Sequence, residues 1–333
     1  MTLLDFGPLR ELADDARVTD AAVTCDGRVW VDVGDGMREY LPRVPFRSPS
    51  VVREYAVRLC AQLGKRLDDA CPIADASSVE GVRVHAVIAP LVPQGAAITI
   101  RFPRRTAPSL ERLEQDLLFP HAWRRVLAGL VRNRATLMIT GGTGVGKTTL
   151  LKALLARCAE HERIVTVEEV RELGVLGRSD HVSLVAREAN VEGAGAIGLP
   201  QLVKATLRMR PDRVVLGEAR GEEIVDLLRS FNSGHRGGMT TLHADSVGRV
   251  PSRLITLGLL AGVEPRAMAM LAGDSFDAVL HLERVGGRRH IAQIGVLRIS
   301  EGLGLVGMPL IAWSGEGDPV ECSGWRRFCE IWT

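Results

Sequence analysis

The chain is 333 residues long, with 46% apolar and 25% charged residues, the composition of an ordinary soluble globular protein large enough for two cores. Forty-two basic residues against forty acidic ones leave a net charge of +2, and aromatic residues make up 4%, so neither a global positive field nor a set of stacking platforms argues for nucleic acid. No window approaches about 18 uninterrupted apolar residues, and the N-terminus MTLLDFGPLRELADD lacks a basic flank and apolar run; no membrane span and no signal peptide are expected.

The predicted elements, in chain order, begin with residues 19–40, which alternate around Gly and Asp and read as short strands joined by turns. A proline-rich connector covers 41–50. Val51, Val52, Tyr55, Leu59 and Leu63 then share one helical face, with Ser50 as the expected N-cap. GVRVHAVIAP (81–90) and AAITIRF (96–102) alternate again. Residues 1–105 are therefore expected as a small α+β domain, and 106–120 as a linker that starts a short helix.

From residue 121 onward the pattern changes. ATLMIT (135–140), RIVTVEE (163–169) and RVVLGE (213–218) read as buried strands, with helical segments KTTLLKALLARCAEH and PQLVKATLRMR between them. Such alternation predicts an α/β domain over 121–333, a parallel sheet covered by helices. DAVLHLERV and RHIAQIGVLRIS flank Gly286-Gly287 as a hairpin. The six cysteines form no C-x-x-C pair; they are expected as reduced, mostly buried thiols of a cytosolic protein rather than zinc ligands.

The strongest chemical signal is G-x-x-x-x-G-K-T, Gly141 to Thr148, placed between a buried strand and a helix. Backbone N–H groups of Gly141, Gly142, Thr143, Gly144, Val145 and Gly146 would turn around phosphate oxygens, and the helix beginning with Lys147, Thr148 and Thr149 adds its positive end. Lys147 would neutralise the β- and γ-phosphates of ATP, and Thr148 would offer its hydroxyl to Mg²⁺. Glu218 and Glu168 end two other strands at the edge where parallel sheets bind ligands. Glu218 is expected as the carboxylate that serves the metal or polarises the attacking water, Glu168 as a second catalytic acid, and Glu169 as a weaker candidate. Arg208, Arg210, Arg213 and Arg220 cluster around that strand, suggesting a subunit interface near the nucleotide. NSGHRGGMTTLHADS (232–246) carries His235 and His243. Metal ligand, general base, phosphate sensor and ordinary loop residue are all open readings for them. The sensor reading is favoured for at least one, on a loop loosened by Gly234, Gly237 and Gly238.

These stretches, taken together, resemble the ATPases of type II and type IV secretion and pilus assembly, nearest the Tad/Flp pilus branch. GGTGVGKTT is similar to the family's Walker A motif, RIVTVEEVREL to its Asp box, LVKATLRMRPDRVVLGEARGEE to its Walker B region and NSGHRGGMTTLHADS to its His box. The resemblance implies a RecA-like C-terminal P-loop domain and a smaller N-terminal domain, with nucleotide between them. It implies a Mg²⁺-dependent ATPase, a homohexameric ring held peripherally at the cytoplasmic face of the inner membrane, and work through an inner-membrane platform protein. By position, Lys147, Glu168, Glu218 and His243 match its catalytic residues, and Thr148 and Glu218 its metal site. Arg83, Arg101 and His235 match residues that face the nucleotide. A conjugation-type secretion ATPase and a non-hydrolysing assembly scaffold are the alternatives. The chain departs from the family pattern at Glu169, where aspartate is usual, at His85, where asparagine is expected, and in the tail beyond residue 300.

Overall fold

The computed structural model describes residues 4–34, 36–103, 109–174, 176–177, 180–187, 189, 194–302 and 304–333. They divide into two compact units, Met1–Thr106 with Val170–Val175, and Ala107–Glu169 with Leu176–Thr333.

In the first unit a 3-10 turn at Gly7–Leu9 leads into α1 (Arg10–Asp14), β1 (Asp20–Val23), β2 (Val29–Asp32), β3 (Met37–Tyr40), α2 (Pro49–Gln62), β4 (Ile73–Ser77), β5 (Arg83–Ile88) and β6 (Ala96–Arg101). The strands form an antiparallel sheet in the order β3-β2-β1-β6-β5-β4. Alternation places Val84, Ala86 and Ile88 of β5 and Ala96, Ile98 and Ile100 of β6 on the buried face. Helix α2 covers that face with Val52, Tyr55, Ala56, Leu59 and Cys60. The expected cap moves by one turn's edge: Ser48, not Ser50, accepts from the Val51 N–H, because Pro49 takes the first helical position. Val51 consequently lies off the buried stripe, 40% exposed. The strand β4 was not anticipated from CPIADASS.

The second unit contains α3 (Leu110–Gln115), α4 (His121–Arg132), β7 (Leu137–Gly141), α5 (Lys147–Ala156), β8 (Ile164–Glu168), β9 (His181–Val185), α6 (Leu199–Thr206), β10 (Arg213–Ala219), α7 (Glu223–Asn232) and β11 (Met239–Leu242). After a 3-10 turn at Val247–Arg249 come α8 (Val250–Leu260), α9 (Pro265–Gly273), β12 (Ala278–Val285), β13 (Arg288–Ile299), β14 (Leu305–Ala312), β15 (Val320–Glu321) and α10 (Trp325–Trp332). The sheet order is β15-β14-β13-β12-β7-β11-β10-β8-β9. Strands β12 to β9 run parallel, and β13, β14 and β15 extend the sheet antiparallel. Every residue of β7 and β8 is buried, as expected for strands covered on both faces. Helix α5 stops at Ala156, short of the expected 161. The tail beyond residue 300 is built into this unit: β14 pairs with β13, and α10 packs on α4, with Trp325 and Trp313 against Trp123.

The cysteines are free, but mostly not buried: only Cys60 and Cys158 are, whereas Cys71 and Cys322 are exposed and Cys25 and Cys329 lie between. Burial pushes the Cys60 thiol up to about 11. No described helix is long and apolar enough to cross a membrane.

Candidate functional site

Parallel strands emit their C-terminal ends along one edge of the sheet. In the second unit that edge carries, in spatial order, the phosphate loop after β7, His243 after β11, Glu218 near the end of β10 and Glu168 at the end of β8. The register fixes the alignment: Leu242 of β11 is partnered by Thr140 of β7 and by Ala219 of β10. A loop and three residues far apart in sequence are thus brought to one rim by strand pairing.

The loop itself has the shape a phosphate needs. Gly144 and Gly146 sit at φ 72° and 104°, left-handed values that L side chains rarely adopt. A Cβ at Gly144 would meet nothing within 4 Å, so the loop leaves open space there. Gly146 is the N-cap of α5, whose first residues point N–H groups outward at the positive end of the helix. Lys147 opens that helix with its side chain turned back into the loop. Its ammonium is buried and donates to the Gly141 carbonyl at 3.0 Å and the Gly142 carbonyl at 2.8 Å. The residues present therefore fit a nucleotide phosphate: an open glycine concavity, a helix N-terminus and a preplaced buried cation. Thr148 follows Lys147 in the first turn of α5. Among the described residues no three His, Cys, Asp or Glu form a ready metal cluster.

His243 joins the lysine to the carboxylate. Its Nε2 lies 2.8 Å from Glu218 Oε1, and both ring nitrogens lie 3.4 Å from Lys147 Nζ. Burial, with the Lys147 charge next in size, lowers its pKa; Glu218 opposes them and does not prevail. The imidazole is therefore held neutral at pH 7. A neutral ring that donates through Nε2 to Glu218 keeps its lone pair on Nδ1, and Lys147 Nζ lies equally far from the two ring nitrogens.

Glu218 sits where β10 leaves its regular ladder, since the register with β11 shifts between Leu216 and Ala219. Thr241 donates to the Gly217 carbonyl at 2.8 Å and ties down that irregular stretch. Gly217 is small because Glu168 lies against it: a Cβ there would come within 3.0 Å of Glu168 Cγ. Glu168 is buried against Gly217 rather than set in the solvent. Sequence reasoning missed the partner of Glu218. Arg220 binds Glu218 Oε2 and also reaches Glu169 Oε2 at 3.1 Å. Alternation gave no signal for the pair, because β10 ends at Ala219 and its register is already irregular there.

Other expected residues are placed differently. His235 lies before β11, at the opposite end of that strand from His243, and its ring meets the Ser230 carbonyl at 3.2 Å. The expected single histidine loop is thus a loop, a strand and a second loop, and only His243 joins the phosphate rim of its own unit. Gly237 and Gly238 are buried packing positions, not loosening ones: a Cβ at Gly238 would collide with the Phe231 ring and approach the Val214 carbonyl to 2.8 Å. The arginine cluster is also split. Arg213, 1% exposed, is a core residue paired to Glu162 by two bonds of 2.9 Å, whereas Arg220 stands at the other end of β10. In the first unit, Arg83 and Arg101 are direct cross-strand partners on β5 and β6. Arg83 pairs with Glu172 and Arg101 with Asp20 at 3.0 Å. His85 holds Asp75 at 2.8 Å.

Comparison with known proteins follows the same lines. A Mycobacterium tuberculosis protein named "Putative conjugal transfer protein" is 43% identical over 308 residues, 90% of this chain and 86% of that one. The type IV secretion system protein PtlH of Bordetella pertussis is 30% identical over 312 residues, covering 83% and 89%. The crystal structure of the Legionella pneumophila ATPase DotB superposes with a TM-score of 0.62 at 19% identity, over 89% of this chain and 80% of that one. The last shows a shared fold, the RecA-like α/β unit with a smaller α+β unit. The profile of the family described as type II/IV secretion system protein matches residues 2–284, all four rim motifs included, and the chain belongs to that family.

Proposed function

We propose that this chain binds ATP with Mg²⁺ on the phosphate loop and hydrolyses it, as the subunit of a homohexameric ring motor for secretion or pilus assembly. The observation that carries the reading is the Lys147–His243–Glu218 chain, which links the phosphate-binding cation to the candidate carboxylate through a neutral imidazole. Lys147 and the loop N–H groups hold the β- and γ-phosphates. Thr148 and Glu218 are the residues that would hold the metal and its water shell. Bound Mg²⁺ supplies charge neutralisation on the phosphate oxygens. Glu218 orients and polarises the attacking water, with Glu168 as the buried second acid behind it. His243, touching both Lys147 and Glu218, is placed to register loss of the γ-phosphate and change the contacts of the segment after β11. Arg83, Arg101 and His235 are proposed as further nucleotide-facing residues, in states of the ring that bring them to a phosphate.

Family membership supports the secretion role. The work would be delivered through an inner-membrane platform protein, with the ring peripheral to the cytoplasmic face. Within the family the Tad/Flp pilus branch is the reading from the motifs. The conjugation-type reading has one observation in its favour, the name carried by the 43% identical mycobacterial protein.

A phosphate-release assay on the purified chain tests the enzyme reading. Lys147→Ala is expected to abolish turnover. Glu218→Gln is expected to keep ATP binding and lose hydrolysis, by about a hundredfold or more if the carboxylate acts as general base. Normal turnover by Glu218→Gln would remove that residue from the mechanism. Absence of turnover in the wild type, with nucleotide binding intact across oligomeric states, would leave the assembly scaffold as the function.

A further inference from the structure

We propose that Arg220 is a positioning residue for Glu218, and that Glu169 acts through Arg220 by anchoring it. The inference rests on the hydrolytic reading above and adds two residues to it.

Glu218 is a forked side chain whose two oxygens are held from opposite sides. Oε1 faces His243 Nε2 at 2.8 Å, and Oε2 is bound by Nε and Nη2 of Arg220. A carboxylate has about four lone-pair sites. The two N–H groups of Arg220 occupy the sites on Oε2, and His243 takes one on Oε1. The remaining site on Oε1 is on the same oxygen that the His243–Lys147 chain approaches, which is the side of the phosphate loop. Arg220 therefore fixes which oxygen is presented to water on that side.

A guanidinium on a flexible stem would not hold such a geometry alone. Its side chain is 56% exposed, and exposed single ion pairs are loosely held. Arg220 is instead spanned between two carboxylates, with Nη1 on Glu169 Oε2 at 3.1 Å and the opposite edge on Glu218. The planar fork of arginine permits this; a lysine presents one point charge and cannot engage both in fixed directions. Glu169 directly follows β8, whose last residue is the buried Glu168, so the anchor is itself attached to the sheet edge. The pair of acids at 168–169 thus divides its work. Glu168 packs beneath Gly217, and Glu169 reaches over to Arg220.

Positioning of this kind acts on the chemical step rather than on nucleotide binding, because neither Arg220 nor Glu169 is assigned a phosphate. Orientation of a reacting group commonly governs rate through small displacements. Steady-state kinetics and ADP affinity are measured for wild type, Arg220→Ala, Arg220→Lys, Glu169→Gln and the double variant Arg220→Ala/Glu169→Gln. Arg220→Ala is expected to lower kcat about tenfold or more, with KM for ATP and Kd for ADP within about twofold of wild type. Arg220→Lys should recover part of the loss. Glu169→Gln should lower kcat by less, and the double variant should be no slower than Arg220→Ala, since Glu169 has nothing left to anchor. Unchanged kcat in Arg220→Ala would overturn the positioning role. A double variant slower than Arg220→Ala by the full Glu169→Gln factor would overturn the route through Arg220. An Arg220→Ala protein that loses ADP binding in proportion to kcat would make the residue a nucleotide contact or a structural one, again against the proposal. Wild-type turnover separates these results from failure of the underlying reading: a wild type that binds ADP and releases no phosphate overturns hydrolysis first, and the inference with it.

Discussion

Arg213 and Arg220 stand seven residues apart and have opposite fates, although both are arginines at the ends of one strand. Arg213 is enclosed by Glu162 and by the carbonyls of Val131 and Gly237 at 2.8 and 3.2 Å. Such a pair offers little over a well-packed apolar alternative, but removing one partner strands the other charge in the core. Arg134 stays 3.6 Å from Glu162 when Arg213 is removed, so Arg213→Ala should destabilise the second unit by about 3 kcal/mol, the lower end for a broken buried pair, read as a lower denaturant midpoint. A change below about 1 kcal/mol would place the pair with ordinary surface bridges. Nothing in LRMRPDRVVLGEARG distinguishes these two arginines. Arg220 lies one residue past the end of β10, beyond its irregular stretch, so alternation did not mark it as the partner of Glu218. The burial of Arg213 depends on Glu162, 51 residues away, and on α4.

At the scale of elements, the C-terminal helix α10 is fastened by close approach and by aromatic packing. A Cβ at Gly129 of α4 would collide with the Trp332 carbonyl, and Arg132 donates to the Thr333 carbonyl at 2.6 Å. Gly129→Ala should displace α10, since overpacking of this kind costs about 1–3 kcal/mol. Trp325 and Trp123, both buried, would gain water, and tryptophan emission should shift to longer wavelength. An unshifted spectrum would mean that α4 and α10 part without disturbing the tryptophans.

The β12–β13 hairpin carries a second elementary prediction. His281 is buried between Thr140, at 3.0 Å, and Glu283, at 3.3 Å. Burial lowers its pKa; Glu283 and Asp245 pull the other way, and the charge of His290 adds to the lowering. Burial lowers that of His290 as well, against Glu283 and with Arg288. Unfolded, both rings take up a proton near pH 6.5; folded, both resist it. The unfolded state thus binds more protons below neutrality, and stability is lost as pH falls from about 7 toward 5. Thermal melting across that range should show a falling Tm, and His281→Gln should flatten the slope. An equally steep slope in that variant would assign the pH dependence to other groups.

For the whole molecule, the functional reading requires copies to act together. Mass measurement of the purified chain with and without a non-hydrolysable ATP analogue should show a six-subunit species favoured by nucleotide. A single-chain mass under both conditions, at concentrations that support turnover, would count against the ring. Identification of what co-purifies from membranes would then decide between the pilus and conjugation readings, because the rim motifs are common to both.

How much the sequence determined follows from the range of the forces involved. The phosphate loop was fixed locally: glycines that accept left-handed backbone, a lysine and a helix start are contiguous, and no tertiary contact is needed to see them. The parallel α/β pattern and the acids at the strand ends were equally legible, since periodicity and chain order set them. Tertiary structure decided what pairing across strands creates. It brought Lys147, His243 and Glu218 into one chain of contacts, although they span positions 147 to 243. It separated His235 from His243, because β11 runs between them, and it turned Gly237 and Gly238 from candidates for mobility into packing contacts. It also built the tail into the sheet and onto α4, where the apolar residues of WRRFCEIW gain meaning only against Trp123. Local chemistry is written in neighbouring residues; which distant side chains share an oxygen is set by register, and register exists only once the sheet has formed.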